Sequence, residues 1–253
     1  MSQPVTQLTP ARRGLAVTGG LIILATWIYL VLVRPTSWES VGGSTEAIIT
    51  LLGYVGGTIM LLVAVLPVLP ARTIGLIPVA LVLNIVIGQV VGSVGLPLYL
   101  DTVGTVLVAA LAGPLAGLTT GALSSVVWGL FNPAALPFAA GSALAGLLAG
   151  WAIRHGAFRN ILRAILAGLL LGLVTGAIAA PVAAFVYGGT AGVGTGAVVS
   201  LLREMGNSLI GSVTLQSFIS DPLDKAIVMV IVFLTVRALP KRTLASLQPT
   251  HAS

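Results

Sequence analysis

Asp101, Glu204 and Asn207 are the side chains in this sequence whose types and placement best suit holding a small solute, with Asn84, Gln89 and Trp128 as second choices. Asp101 precedes the apolar run VGTVLVAALA, and a carboxylate there is favoured by the unpaired N–H groups of a helix N-terminus. The same position is equally that of a plain helix cap. Glu204 and Asn207 fall on the polar face of the segment 196–220, which is otherwise a solvated surface, and the adjacent Arg203 could simply neutralise an acid. Asn84 and Gln89 interrupt an apolar span, where interhelical hydrogen bonding is the structural alternative. Trp128 and Asn132 close a helix, as an interfacial anchor and a turn residue do. Acids at the mouth of a helix bundle favour a cationic or amine-bearing solute.

The elements that position these residues are membrane helices. Charged residues are 7% of the 253, and hydrophobic ones 57%. The mean hydropathy is +1.10, whereas a soluble domain carries about 25% charged residues. Apolar runs recur along the whole length, which predicts an all-α polytopic transmembrane bundle. The expected spans are 14–33, 46–69, 73–94, 97–112, 114–130, 138–153, 164–187 and 222–239. The span 97–112 is short, since ~16 residues at 1.5 Å each reach only ~24 Å. Gly113-Pro114 divides it from the next helix, with proline suited to a first turn. Val198, Leu201, Leu202, Met205, Leu209 and Val213 fall on one face of 196–220, an amphipathic helix expected not to cross. Asp221-Pro222 with Asp224 reads as the start of the last span.

Charge sets the expected orientation. Eight spans with both termini inside place Arg12, Arg13, Arg72, Arg154, Arg159, Arg163, Arg237, Lys241 and Arg242 on the cytoplasmic side, and all six acids, Glu39 among them, at or near the other. Arg12-Arg13 precedes an apolar run without a small-residue cleavage site, so a retained first helix is expected. The basic excess therefore reflects cytoplasmic loops. No basic patch interleaved with aromatics points to nucleic acid. Glycine and serine recur at four-residue spacing in 113–125, 142–150 and 168–176, and Gly88 with Gly92 repeats it, so helix backbones can approach closely. The alternative is that one such face docks a partner membrane subunit.

Several chemistries have no residues to carry them. There is no cysteine, so disulfides and thiolate sites are excluded. The only lysines, Lys225 and Lys241, follow Asp224 and Pro240, so there is no P-loop to hold a nucleotide. His155 and His251 lie in a basic loop and a terminal tail, too far apart for a helical zinc site or a plausible triad. Ser124 lacks the framing of an elbow nucleophile. No ionisable residue is expected mid-span, which argues against a proton pump or antiporter.

Three motifs carry a resemblance. Leu83-Asn84-Ile85 with Gly88-Gln89, then Leu96-Pro97-Leu98-Tyr99-Leu100-Asp101-Thr102-Val103-Gly104-Thr105, then Ala112-Gly113-Pro114-Leu115-Ala116-Gly117 resemble the substrate-binding S component of energy-coupling factor (ECF) vitamin transporters. Ser220-Asp221-Pro222-Leu223-Asp224-Lys225 is similar to some members as well. The resemblance covers about 73–242. It implies a six-helix substrate-binding domain there, with 14–72 as two additional N-terminal helices and with cytoplasmic tails at 1–13 and 243–253. It also implies a bacterial cytoplasmic membrane protein that binds a vitamin-like solute from outside. Its partners would be a membrane coupling subunit and two ATPases, and it would need no cofactor and perform no catalysis itself. Many members dock the coupling subunit through Ala-xxx-Ala on the first core helix, where this chain has Ala80-xxx-Asn84 and Gly88-xxx-Gly92. Gly88 with Gly92 and, on another helix pair, Ala112 with Ala116 are therefore the candidate docking faces. A membrane-embedded sensor domain and an intramembrane enzyme are the alternatives.

Overall fold

A computed structural model describes residues 8–34, 44–189, 192–240, 242, 244 and 247. Glu39, Lys241 and most of both expected tails lie outside the described residues. Within them the chain is helical, without a strand: α1 (Pro10–Val33), α2 (Thr45–Val65), α3 (Ala71–Ser93), α4 (Val103–Ala112), α5 (Pro114–Gly129), α6 (Ala139–Arg154), α7 (Ile161–Tyr187), α8 (Val193–Glu204) and α9 (Leu209–Ala238). Short 3-10 turns extend α2 through Val68 and precede α6 from Pro133. The segments Pro10–Val33, Thr45–Val68, Ala71–Ser93, Pro133–Arg154 and Ile161–Tyr187 are long and apolar enough to cross a membrane.

Local chemistry sets the helix ends. Ser44 accepts from the Ala47 N–H at 3.1 Å, Asn160 from Arg163 at 2.9 Å and Ser208 from Gly211 at 3.2 Å, each satisfying a first-turn donor. Gly113 takes φ 95°, a conformation that favours glycine, and Pro114 then begins α5.

Helix α4 lies at the centre, packed by α3, α5, α6 and α9, and every residue in it except Leu107 is buried. The small-residue faces build this packing within the chain. Gly117 meets the backbone of Gly146, Gly121 that of Ser142, and Gly172 that of Asp221 and Pro222. Outward faces carry leucine and valine instead, such as Val82, Val86 and Val90 on α3 and Leu162, Leu166 and Leu170 on α7. An apolar exterior of that extent suits hydrocarbon.

Three expectations are corrected. The amphipathic segment 196–220 is two pieces: α8 ends at Glu204, Gly206 turns at φ 93°, and Ser208 caps a new helix. That helix runs uninterrupted through Pro222, so Asp221-Pro222 is not a helix start. At Pro222 the backbone of this helix packs directly on Gly172 of α7. Finally, helix α4 begins at Val103 and not at 97, leaving 96–102 non-helical.

Candidate functional site

The non-helical 96–102 segment is held in place by one carboxylate on a neighbouring helix. Asp224 Oδ1, on α9, accepts from the Tyr99 N–H at 2.8 Å and the Leu100 N–H at 2.7 Å. Leu100 has φ 53°, the left-handed region that a leucine rarely enters, so this clasp holds a backbone conformation that costs free energy. The other Asp224 oxygen accepts from Lys225 Nζ at 2.6 Å, and Lys225 Nζ also lies 3.5 Å from Asp101 Oδ1. Asp224 is 2% exposed and Lys225 7%. Asp224 and Lys225, adjacent on α9, thus hold the unwound segment at Tyr99–Leu100 and at Asp101. The Tyr99 hydroxyl pairs with Thr195 Oγ1 at 3.0 Å, which ties the segment to α8 as well.

This network forms one side of a cavity of about 370 Å³. Asp101, Asp221 and Lys225 give it a charged patch, and Trp27, Tyr99 and Trp128 give it aromatic wall. Gly88 makes room for the contact: a Cβ there would strike the Trp128 ring and Asp101. Trp27 comes from α1, where its Nε1 donates to the Ile178 carbonyl of α7 at 3.0 Å. Helix α1 therefore contributes to the cavity wall, and Tyr54 of α2 reaches the carbonyl of the cavity-lining Pro137 at 3.3 Å.

No family model, curated protein or solved structure matches the chain. The site is therefore read on its own geometry.

Of the residues expected from sequence, Asp101, Gln89 and Trp128 line the cavity, Gln89 at an exposed edge. Glu204 and Asn207 do not. Both are exposed, and Asn207 finishes α8, with its backbone N–H and its side-chain amide both donating to the Leu202 carbonyl. Asn84 is fully buried and acts between helices. Its Oδ1 accepts from the Gly104 N–H at 2.7 Å, and its Nδ2 donates to Thr105 Oγ1 at 2.8 Å and Ser124 Oγ at 3.1 Å. Asp101 is no helix cap: Thr102 holds that position, and the Asp101 carboxylate faces Lys225. The docking candidates also point inward. Ala112 and Ala116 are 3% and 1% exposed, Gly88 faces Trp128, and Gly92 faces Tyr99.

Sequence reasoning missed Asp221, Asp224, Lys225 and Tyr99. The absence of ionisable residues from mid-helix positions is overturned, because Asp224 and Lys225 are buried well inside α9. A signal existed. Asp221, Asp224 and Lys225 are spaced i, i+3, i+4, one face of a helix once Pro222 is allowed inside it.

Asn84→Ala is expected to lower stability by about 1–2 kcal/mol, since it leaves the Gly104 N–H and two hydroxyls without their partner. Unfolding in graded SDS measures this, with solute binding retained. Lost binding at unchanged stability would return Asn84 to the site.

Proposed function

We propose that the chain is the solute-binding membrane subunit, the S component, of an ECF-type importer in a bacterial cytoplasmic membrane. In this reading α1 to α7 and α9 make eight crossings with both termini cytoplasmic, and α8 does not cross. The non-helical 96–102 segment precedes the short α4 and shares its crossing. The solute is a small water-soluble metabolite, vitamin-like in size, taken from outside. It is released after the subunit docks a membrane coupling protein and two ATPases.

One observation carries the reading: the cavity lies where an unwound, polar-clasped segment enters an apolar bundle. Irregular backbone at that depth is supported where it lines a solute site. The cavity volume falls in the range of small-molecule sites, about 300–1,000 Å³. The lack of a P-loop fits a subunit whose energy comes from partners.

Affinity purification from the native host tests the proposal. Two ATPases and a membrane coupling protein are expected to co-purify, and mass spectrometry is expected to find one small molecule carried through. A histidine kinase in place of the ATPases would establish the sensor reading instead. The buried Asp224–Lys225–Asp101 network favours a second reading, a proton-coupled carrier, because ionisable groups of this kind form proton relays. Uptake into vesicles by the chain alone, driven by a pH gradient, would decide for that reading and against the importer.

A further inference from the structure

Three carboxylates share this site with one ammonium group. Lys225 is already engaged by Asp224 and Asp101, and Asp224 also holds two backbone N–H groups. Asp221 is different. It lines the cavity and makes no hydrogen bond or ion pair among the described residues. Other polar side chains line the same cavity without a side-chain hydrogen bond among the described residues: Thr102, 2% exposed, whose hydroxyl is buried and unpartnered, and Gln216 and Ser217, each 5% exposed. Buried polar groups are ordinarily paired, so a set of them facing one cavity marks where a ligand's polar atoms go.

We infer that this cavity binds a compact organic cation, its positive group placed at Asp221 and Asp101 and its body against Trp128 and Tyr99. The inference rests on the reading of the cavity as a solute site and names the solute's charge class. An anion would meet two carboxylates at the cavity surface and a lysine whose charge is already compensated. A cation offsets the excess negative charge, which is costly to leave uncompensated away from water. Aromatic faces add to this preference for cations through the ring quadrupole. A bare metal ion fits less well, because no three His, Cys, Asp or Glu side chains among the described residues gather as ligands. Gln216 and Ser217 then bond a polar substituent of the solute, setting its orientation.

The full chain in lipid nanodiscs can be titrated with three probes of matched shape: phenethylamine, phenylethanol and phenylacetate. Empty nanodiscs correct for partitioning into lipid. Saturable binding of phenethylamine is expected, at least about tenfold tighter than phenylethanol, with phenylacetate unable to compete. In Asp221→Asn the margin between amine and alcohol is expected to shrink to about threefold or less. Equal or tighter binding of phenylacetate, no preference for the amine, no binding of any probe, or an unchanged margin in Asp221→Asn would each overturn the inference. The wild-type series decides the matter by itself if the variant does not fold. The measurement needs no ATPase, so it separates from the importer reading. Amine preference without ATPase partners would leave the cation site standing and remove the importer. ATPase partners with anion preference would do the reverse.

Discussion

Asp224→Ala is expected to destabilise the protein by about 3–5 kcal/mol, the usual cost of removing one member of a buried ion pair. Two losses add. Lys225 keeps only the longer contact to Asp101, 3.5 Å against 2.6 Å. The Tyr99 and Leu100 N–H groups lose their acceptor, so the backbone around the positive φ of Leu100 keeps only side-chain ties, Tyr99 to Thr195 and Asp101 to Lys225. Asp224→Asn separates the two effects. An asparagine oxygen can still accept both N–H groups, but its amide faces the lysine ammonium, donor against donor. The clasp is kept and the ion pair lost. Adding Lys225→Met to Asp224→Asn should recover much of the stability, because the uncompensated cation is gone. Unfolding in graded SDS gives the ordering wild type, double variant, then Asp224→Ala. An Asp224→Ala protein within about 1 kcal/mol of wild type would show that the carboxylate does not anchor the segment.

The clasp explains why a non-helical stretch can lie against buried helices. Each N–H in 96–102 that lacks a helical partner needs another, and α9 supplies one carboxylate for two of them. Because Lys225 bridges that carboxylate to Asp101, a cation bound at Asp101 and Asp221 acts on the same lysine that secures α9 to the segment. In the proposed reading, solute occupancy is thereby linked to the geometry between α4 and α9 through one side chain.

What the sequence made legible was periodic. Helical class, the break at Gly113-Pro114 and the glycine faces of α5, α6 and α7 all follow from spacing along a single helix, and all appear as expected. Asp101, Gln89 and Trp128, which line the cavity, stood out in the sequence because they are polar and aromatic groups in apolar runs. The failures share a cause. Pro222 next to two acids has the local appearance of a helix start, while Ser208, an unremarkable serine, is the real cap. Moving the start from 222 to 209 puts Asp221, Asp224 and Lys225 inside the bundle. Glu204 and Asn207 lie off the cavity: Glu204 is exposed at the end of α8 and Asn207 follows the turn at Gly206, a reversal that helical spacing does not register. Asn84 was read at the right depth, but only the position of α4 shows that Gly104, Thr105 and Ser124 already satisfy it.

Gly104→Ala is expected to have a large effect for a single added methyl group, about 2–3 kcal/mol of lost stability. Gly104 lies at the crossing of α3 and α4, and a Cβ there would overlap the backbone of Ala80, which is itself fully buried. Backbone cannot rotate away as a side chain does, so the two helices must separate. Separation also stretches the 2.7 Å bond from the Gly104 N–H to Asn84 Oδ1, and through it the contacts to Thr105 and Ser124. Gly92→Ala, on α3, is the comparison. The nearest atoms to its added Cβ belong to the Tyr99 ring at 3.8 and 3.9 Å, ordinary van der Waals contact. That change should lie within about 0.5 kcal/mol of wild type or gain slightly, since alanine suits a helix better than glycine. The two variants differ from wild type by the same atoms, so helix propensity cancels between them and the remaining difference is packing. Because α4 follows directly from Asp101, displacing it also moves that carboxylate away from Lys225, and Gly104→Ala should weaken phenethylamine binding where Gly92→Ala does not. Equal stability of the two variants in graded SDS would mean that α3 and α4 are not in backbone contact at Gly104.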